Sequence, residues 1–151
     1  MYKRQVVAIG ESFYIIDGVD YDQDGVDGDI VWRPEPSLFP FAEKFILSNQ
    51  TWQALPEKTV SDPIDFVAVT TMHNFFYLIG GIHYWSSKIV NLMQRFDTCS
   101  NQWELLCPIQ TPRFHAVAAT LFGKFMYLAV CKKPQAESGV IRIQLNVLIQ
   151  C

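Results

Sequence analysis

The sequence predicts an all-β chain built from repeated small sheets, and three observations support this. Residues 76–81 resemble residues 125–130, and residues 45–52 resemble residues 96–103, so a sequence motif recurs after about fifty residues. Apolar residues follow the two-residue period of strands, with turn residues between the runs. No segment shows a sustained helical stripe. A repeat of this length made of strands indicates a stack of sheets, because one such unit cannot bury its core alone.

The repeats assign the candidate strands in chain order. With Tyr14, Tyr77 and Tyr127 placed in register, the chain divides into three repeats, at about 5–56, 57–108 and 109–151. Each complete repeat has four short candidate strands. In repeat two these are 66–71, 75–79, 90–96 and 103–106, and in repeat three they are 115–121, 125–130 and 140–148. The fourth strand of repeat three is absent, since its tryptophan is expected just past Cys151.

Composition describes an ordinary folded domain. Half of the residues are apolar, 14% are aromatic, and the net charge is −3. This balance argues against a nucleic-acid partner, and the short apolar run near the N-terminus fits neither a signal peptide nor a membrane span. A cytoplasmic location is therefore expected, without a membrane partner. The four cysteines lack C-x-x-C spacing and are expected to be reduced and packed: Cys99, Cys107, Cys131 and Cys151.

One segment carries a family resemblance. Residues 95–108 read RFDTCSNQWELLCP and are followed by Arg113, Phe114 and His115. This order of motifs resembles the kelch repeats of BTB-kelch (kelch-like) proteins, and the resemblance extends over nearly the whole chain. It implies a kelch-type β-propeller of four-stranded antiparallel blades, of which this chain supplies two full blades and three strands of a third.

The resemblance assigns structural roles to a repeated set of residues. The set is Tyr14, Gly18, Trp52, Tyr77, Gly80, Gly81, Trp103 and Tyr127. Glycine permits positive φ or a close backbone approach, and tryptophan supplies apolar area together with an N–H that needs an acceptor. Asp97 and Asn101 are expected to satisfy backbone donors in the turn between the third and fourth strands. Only repeat two keeps both glycines, since Ala129 and Val130 replace them in repeat three.

Closed propellers need roughly four to eight blades, more than this chain supplies. An isolated fragment would expose two sheet faces and unpaired strand edges. We therefore expect a piece of a larger propeller, or a chain that pairs with the rest of such a propeller or with another copy.

The loops between the second and third strands, and the links between repeats, are the long ones and are expected to bind partners. They carry five candidate partner-binding residues: His83, Tyr84, Trp85, Arg113 and His115. Aromatic and arginine side chains are typical of interaction hot spots. The alternative for each residue is packing or plain solvation, and for Arg113 it is a structural role in linking two repeats. The resemblance implies a protein partner or a peptide segment, bound as substrate by an adaptor of a cullin-type ubiquitin ligase.

Three alternatives remain open. The acidic segment 20–29 matches the start of a calcium-binding loop, but Val31 stands where a bidentate Glu is needed and no helix flanks it. A metal-dependent propeller enzyme is disfavoured, because His73, His83 and His115 lie at separate strand ends, so no cofactor and no catalytic residue are assigned. An actin-associated scaffold is the third alternative, and no basic patch supports it.

Overall fold

The computed structural model describes residues 5–16, 42–60, 62–121, 124–130 and 143–148, the last two ranges by their backbone alone. Within these ranges the chain is all-β, with antiparallel sheets and no helix. In the part of the chain so described there is accordingly no helix long and apolar enough to cross a membrane. The prediction of an all-β fold with four-stranded antiparallel sheets is confirmed.

Sheet one contains four strands in chain order. They are β1 (Gln5–Ile9), β2 (Ser12–Ile16), β3 (Ala42–Ile46) and β4 (Thr51–Ala54), and each pairs antiparallel with the next. The strands are rich in β-branched and aromatic residues, which favour a pleated, half-buried surface. Gly10 turns the chain between β1 and β2 with φ of 58°, a conformation open to glycine at no steric cost.

Sheet two repeats this arrangement. It is formed by β6 (Ala68–Met72), β7 (Phe75–Ile79), β9 (Met93–Asp97) and β10 (Gln102–Leu105), again antiparallel throughout. These strands lie within three residues of the bounds predicted from the sequence. A feature that the sequence did not predict is a two-stranded ribbon of β5 (Ile64–Asp65) and β8 (Ile82–His83).

Sheet three has three described strands. They are β11 (Ala116–Leu121), β12 (Lys124–Val130) and β13 (Ile143–Leu148), joined in that order and antiparallel. The three sheets fall within the three sequence repeats.

The sheets pack face to face, and two kinds of face alternate. We call the side that contains Phe76 and Trp103 in sheet two its front face, and the side that contains Tyr77 and Ile79 its back face. The front face of sheet two packs on the back face of sheet one, where Tyr14 lies 5.2 Å from Phe76 between ring centroids. The back face of sheet two packs on a face of sheet three.

Each of these two contacts has its own buried apolar cluster. Between sheets one and two lie Tyr14, Ile16, Ala42, Ile64, Val67, Phe76, Leu78 and Phe96. Between sheets two and three lie Ala68, Tyr77, Ile79, Met93 and Ile109, with Ala116 and Ala118 against them. The two clusters lie on opposite faces of sheet two, so the buried apolar residues lie between neighbouring sheets rather than within any one sheet.

Strand pairing corrects the register predicted for repeat three. In sheet two, two residues separate the paired residues Met72 and Phe75, and in sheet three the paired residues Leu121 and Lys124 are likewise separated by two residues of the sequence. This alignment places Met126 at the position of Tyr77. Tyr127 therefore occupies the position of Leu78, one residue away from the place that the tyrosine spacing predicted.

Candidate interaction surface

Connections between strands gather at one end of the stack. In repeat two, β7 ends there and β6 and β9 begin there, so the loop 80–92 and the link 106–115 share this end with residues 62–66. We call these three segments the loop face. Within the described part of repeat two, the opposite end holds tight turns at 73–74 and 98–101. The predicted loops 18–40 and 131–139 belong to this arrangement by sequence but lie outside the described residues.

Two glycines fix the link to repeat three against the end of β7. Gly80 and Gly81 have φ of 66° and 111°. The Gly81 N–H donates to the Arg113 carbonyl oxygen at 2.7 Å, and the Arg113 N–H donates to the Val90 carbonyl oxygen at 3.3 Å. A Cβ at Gly80 would collide with that same Arg113 oxygen. The diglycine is therefore needed both for positive φ and for the close approach of another backbone.

The side chain of Arg113 is buried as well, with 6% of its surface exposed. A side chain in this position belongs to the junction of repeats two and three. Of the two roles considered from the sequence, linking the repeats and contacting a partner, its burial favours linking.

His83 organises the loop that follows β8. Its Nδ1 accepts a hydrogen bond from the Ser86 backbone N–H at 3.2 Å, so Nε2 carries the proton and lies 3.2 Å from Oδ2 of Asp62. The Tyr84 N–H donates to the Pro63 carbonyl oxygen at 2.9 Å. These bonds tie the loop to the ribbon of β5 and β8, so the half-buried His83 positions its neighbours.

Two aromatic rings project from this anchored loop. Tyr84 and Trp85 form an edge-to-face pair with 5.0 Å between ring centroids. Tyr84 is half-buried, whereas Trp85 is 54% exposed. A tryptophan held by a fixed neighbour loses little side-chain entropy on binding and supplies a large apolar contact area. This pair is therefore the part of the loop face best suited to contact a partner.

His115 forms a second aromatic contact on the loop face. It is exposed, has φ of 50°, and its ring lies 4.0 Å from that of Phe66 between centroids. Phe66 itself has φ of 56° and stands just before β6, as His115 stands just before β11. Sequence reasoning missed Phe66 and Asp62. A signal for Phe66 was present, since it lies at the place of His115 one repeat earlier.

At the opposite end, the turn after β9 shows Asp97 in the role expected for it, whereas the role expected for Asn101 stays a prediction. Oδ1 of Asp97 accepts the Cys99 backbone N–H at 2.8 Å, and Oδ2 accepts the Ser100 hydroxyl at 2.9 Å. The Asn101 N–H donates to the Asp97 carbonyl oxygen at 2.9 Å. The bond from the Cys99 N–H, followed by that from Ser100, lowers the pKa of Asp97 below its ordinary value.

Two titratable groups of the stack have shifted pKa values. Burial raises the pKa of Tyr14, which lies between sheets one and two. Burial lowers the pKa of Arg95, but the contacts with Tyr77 and Glu104 outweigh it, and the net pKa is raised. Nε and Nη2 of Arg95 both donate to Oε2 of Glu104 at 2.7 Å, and the guanidinium lies 4.5 Å above the ring of Phe75. Both groups lie in the stacked sheets rather than on the loop face.

The remaining predicted residues divide into placed and undescribed ones. Trp103 packs between repeats, and its indole N–H donates to the Pro56 carbonyl oxygen at 2.9 Å, which supplies the expected acceptor. Trp52 is 52% exposed on the front face of sheet one. Gly18, the acidic segment 20–29, Cys131 and Cys151 lie outside the described residues. Cys99 and Cys107 are free thiols, but both are exposed, so the expectation that they are packed was wrong for them.

The loop face brings together side chains suited to binding. Among the described residues, no group of three His, Cys, Asp or Glu side chains is placed to hold a metal ion. No protein-family model matches the chain, and no curated protein matches it significantly. The case for a function rests on the repeat pattern and on this surface.

Proposed function

We propose that the chain is part of a kelch-type β-propeller that binds a protein segment through its loop face. The support comes from one observation above all: successive antiparallel sheets stack front on back, and the diglycine fixes a link between them at the end where the long loops gather. This is the packing expected of consecutive blades, each burying its core against its neighbours. A repeat stack of this kind carries its variable, binding residues in its loops.

Tyr84 and Trp85 are the proposed centre of the contact, with His83 holding the loop and His115 at its side. An extended partner segment would bury the Trp85 ring and use polar groups nearby, such as Asp62, to fix its orientation. The role is that of recognition without catalysis. Within a BTB-kelch parent, the same contact would select the substrate of a cullin-type ubiquitin ligase in the cytoplasm.

Peptide display on the immobilised chain tests this function and supplies a ligand for titration. We expect Trp85→Ala to weaken binding of a selected peptide by about 2 kcal/mol, or roughly thirtyfold in Kd. Leu47→Ala is the control, because Leu47 has nearly the same exposure, at 48% against 54%, but lies in the turn 47–50 at the opposite end of the stack. Equal losses in the two variants, or no loss in Trp85→Ala, would contradict the assignment of the loop face.

A further inference from the structure

The two outer sheets of the described stack carry exposed apolar residues, on the front face of sheet one and on the back face of sheet three. On sheet one, strand pairing aligns a set of residues on the front face: Val6, Ala8, Phe13, Ile15, Phe45, Trp52 and Ala54. Val6, Phe13 and Trp52 are 57%, 39% and 52% exposed. None of this set belongs to either buried cluster of the described chain. Glu43 is the one charged residue of the same face.

The front face of sheet one matches, position by position, the front face of sheet two. The turn lengths and pairings equate Val6, Phe13, Ile15, Phe45 and Trp52 with Val69, Phe76, Leu78, Phe96 and Trp103. The aromatic pair is already formed in both sheets, with 4.9 Å between ring centroids in sheet one and 5.0 Å in sheet two. In sheet two this face is buried against a back face, so the same face of sheet one is built to receive one.

The other end of the stack offers a back face. In β11, residues 116, 118 and 120 face sheet two, where the hydroxyls of Thr70 and Thr120 lie 3.2 Å apart. The alternate residues, Val117, Ala119 and Leu121, point outward and are exposed, Val117 at 63%. They correspond to Ala68, Thr70 and Met72, the β6 residues of the back face of sheet two. Among the described side chains, each copy thus exposes an apolar front face on sheet one and an apolar row of back-face residues on β11 of sheet three.

We infer that a second copy of this chain docks its sheet three on the front face of sheet one, and that two copies close head to tail. The contact continues an interface that the chain already makes twice, front face on back face. Besides the two-stranded ribbons, the described residues of two copies supply four four-stranded and two three-stranded sheets, and roughly four to eight blades close a propeller ring. Repeated docking of a front face on a back face forms either a closed ring or an open filament, and the twofold ring covers both apolar end faces of each copy. The closing of two copies into a ring rests on the proposed propeller, whereas the docking of a back face on a front face rests on the stacking observed within one chain.

Sedimentation velocity of the chain tests the inference, with wild type expected to be a dimer. Phe13→Glu alters the front face and Val117→Glu the back face, both at positions exposed in the single chain. Each variant alone is expected to dissociate to a monomer, with Kd raised at least about tenfold, because a carboxylate is buried in the contact. Ser48→Glu, in an exposed turn, is the control that keeps the dimer.

Mixing the two variants gives the decisive result. A one-to-one mixture of Phe13→Glu and Val117→Glu retains one intact front face and one intact back face, so it is expected to form an open dimer. A contact between two front faces would instead leave Val117→Glu dimeric by itself. That result would overturn the inference, as would a monomeric wild type or an assembly larger than a dimer. Peptide binding through Trp85, measured on the same samples, reports separately on the loop face.

Discussion

Replacement of Gly80 by alanine is expected to be among the most destabilising single-methyl changes in the described chain, and Gly10 provides its control. Both glycines have positive φ, 66° at Gly80 and 58° at Gly10. A Cβ at Gly10 would meet nothing within 4 Å, whereas at Gly80 it would collide with the Arg113 carbonyl oxygen. The two substitutions therefore share the backbone strain and differ in the contact.

The magnitude follows from these two terms. An L-residue in the left-handed region loses about 1 to 2 kcal/mol, partly offset by the reduced freedom of the unfolded chain, which leaves about 1 kcal/mol in both variants. At Gly80 the Arg113 backbone must also move, which adds about 1 to 3 kcal/mol of overpacking. Weakening of the bonds that Arg113 makes with Gly81 and Val90 adds about 1 kcal/mol. We expect a loss of about 3 to 5 kcal/mol for Gly80→Ala against about 1 kcal/mol for Gly10→Ala.

Urea unfolding followed by tryptophan fluorescence measures both losses, provided that the dependence of the free energy on urea is the same in the two variants. Gly80→Ser gives a second point, since its side chain is slightly larger and should cost at least as much as alanine. If Gly80→Ala and Gly10→Ala lower the free energy of unfolding equally, the link to repeat three is not seated against the end of β7. Glycine at position 80 would then not be required for a close approach of the Arg113 backbone.

Three further predictions concern the stack and its turns. Trp103→Phe removes the indole N–H that donates to the Pro56 carbonyl oxygen, and should lower the free energy of unfolding in urea by about 1 kcal/mol beyond any loss of packing. An unchanged urea midpoint would contradict the hydrogen bond between the repeats. A double-mutant cycle of Thr70→Val and Thr120→Val should give a coupling near 1 kcal/mol, and additive losses would show that the two hydroxyls do not interact. Because the pKa of Asp97 is lowered in the folded chain, its contribution to the free energy of unfolding is present above the ordinary aspartate pKa and is lost as pH falls through the folded-state pKa. Asp97→Asn should flatten this part of the dependence of stability on pH, and an unaltered dependence would refute the stabilising role of the ionised Asp97.

The strands were predictable because each has its own local signal. Alternation of apolar residues and the turn residues between runs place β7 at 75–79 in sequence and structure alike. The ribbon of β5 and β8 was not predictable, since two residues on each side carry no period. Its existence depends on the diglycine, which returns the chain beside Ile64 and Asp65, and that is a tertiary effect.

The position of Tyr127 shows why spacing alone misassigned one register. Tyr77 and Tyr127 are chemically alike and 50 residues apart, but a strand residue one step away lies on the opposite side of the sheet. The number of residues between the two paired strands decides the register, and in both repeats that number is two. Counting from the paired residues gives an offset of 49, which aligns Tyr127 with Leu78 instead.

The exposed fraction of a side chain separates a residue that binds a partner from one that links two repeats, and it could not be predicted from the sequence. Trp85 and Arg113 were equal candidates by residue type, yet one is 54% exposed and the other 6%. The difference arises because the Arg113 backbone is drawn against Gly81 and Val90, which carries its side chain into the junction, while the loop of Trp85 is held at its base by His83. Arg113→Ala should therefore lower the free energy of unfolding more than Trp85→Ala does. When both variants are assayed in the folded state, Trp85→Ala should weaken peptide binding more than Arg113→Ala does. The reverse order in either assay would exchange their roles.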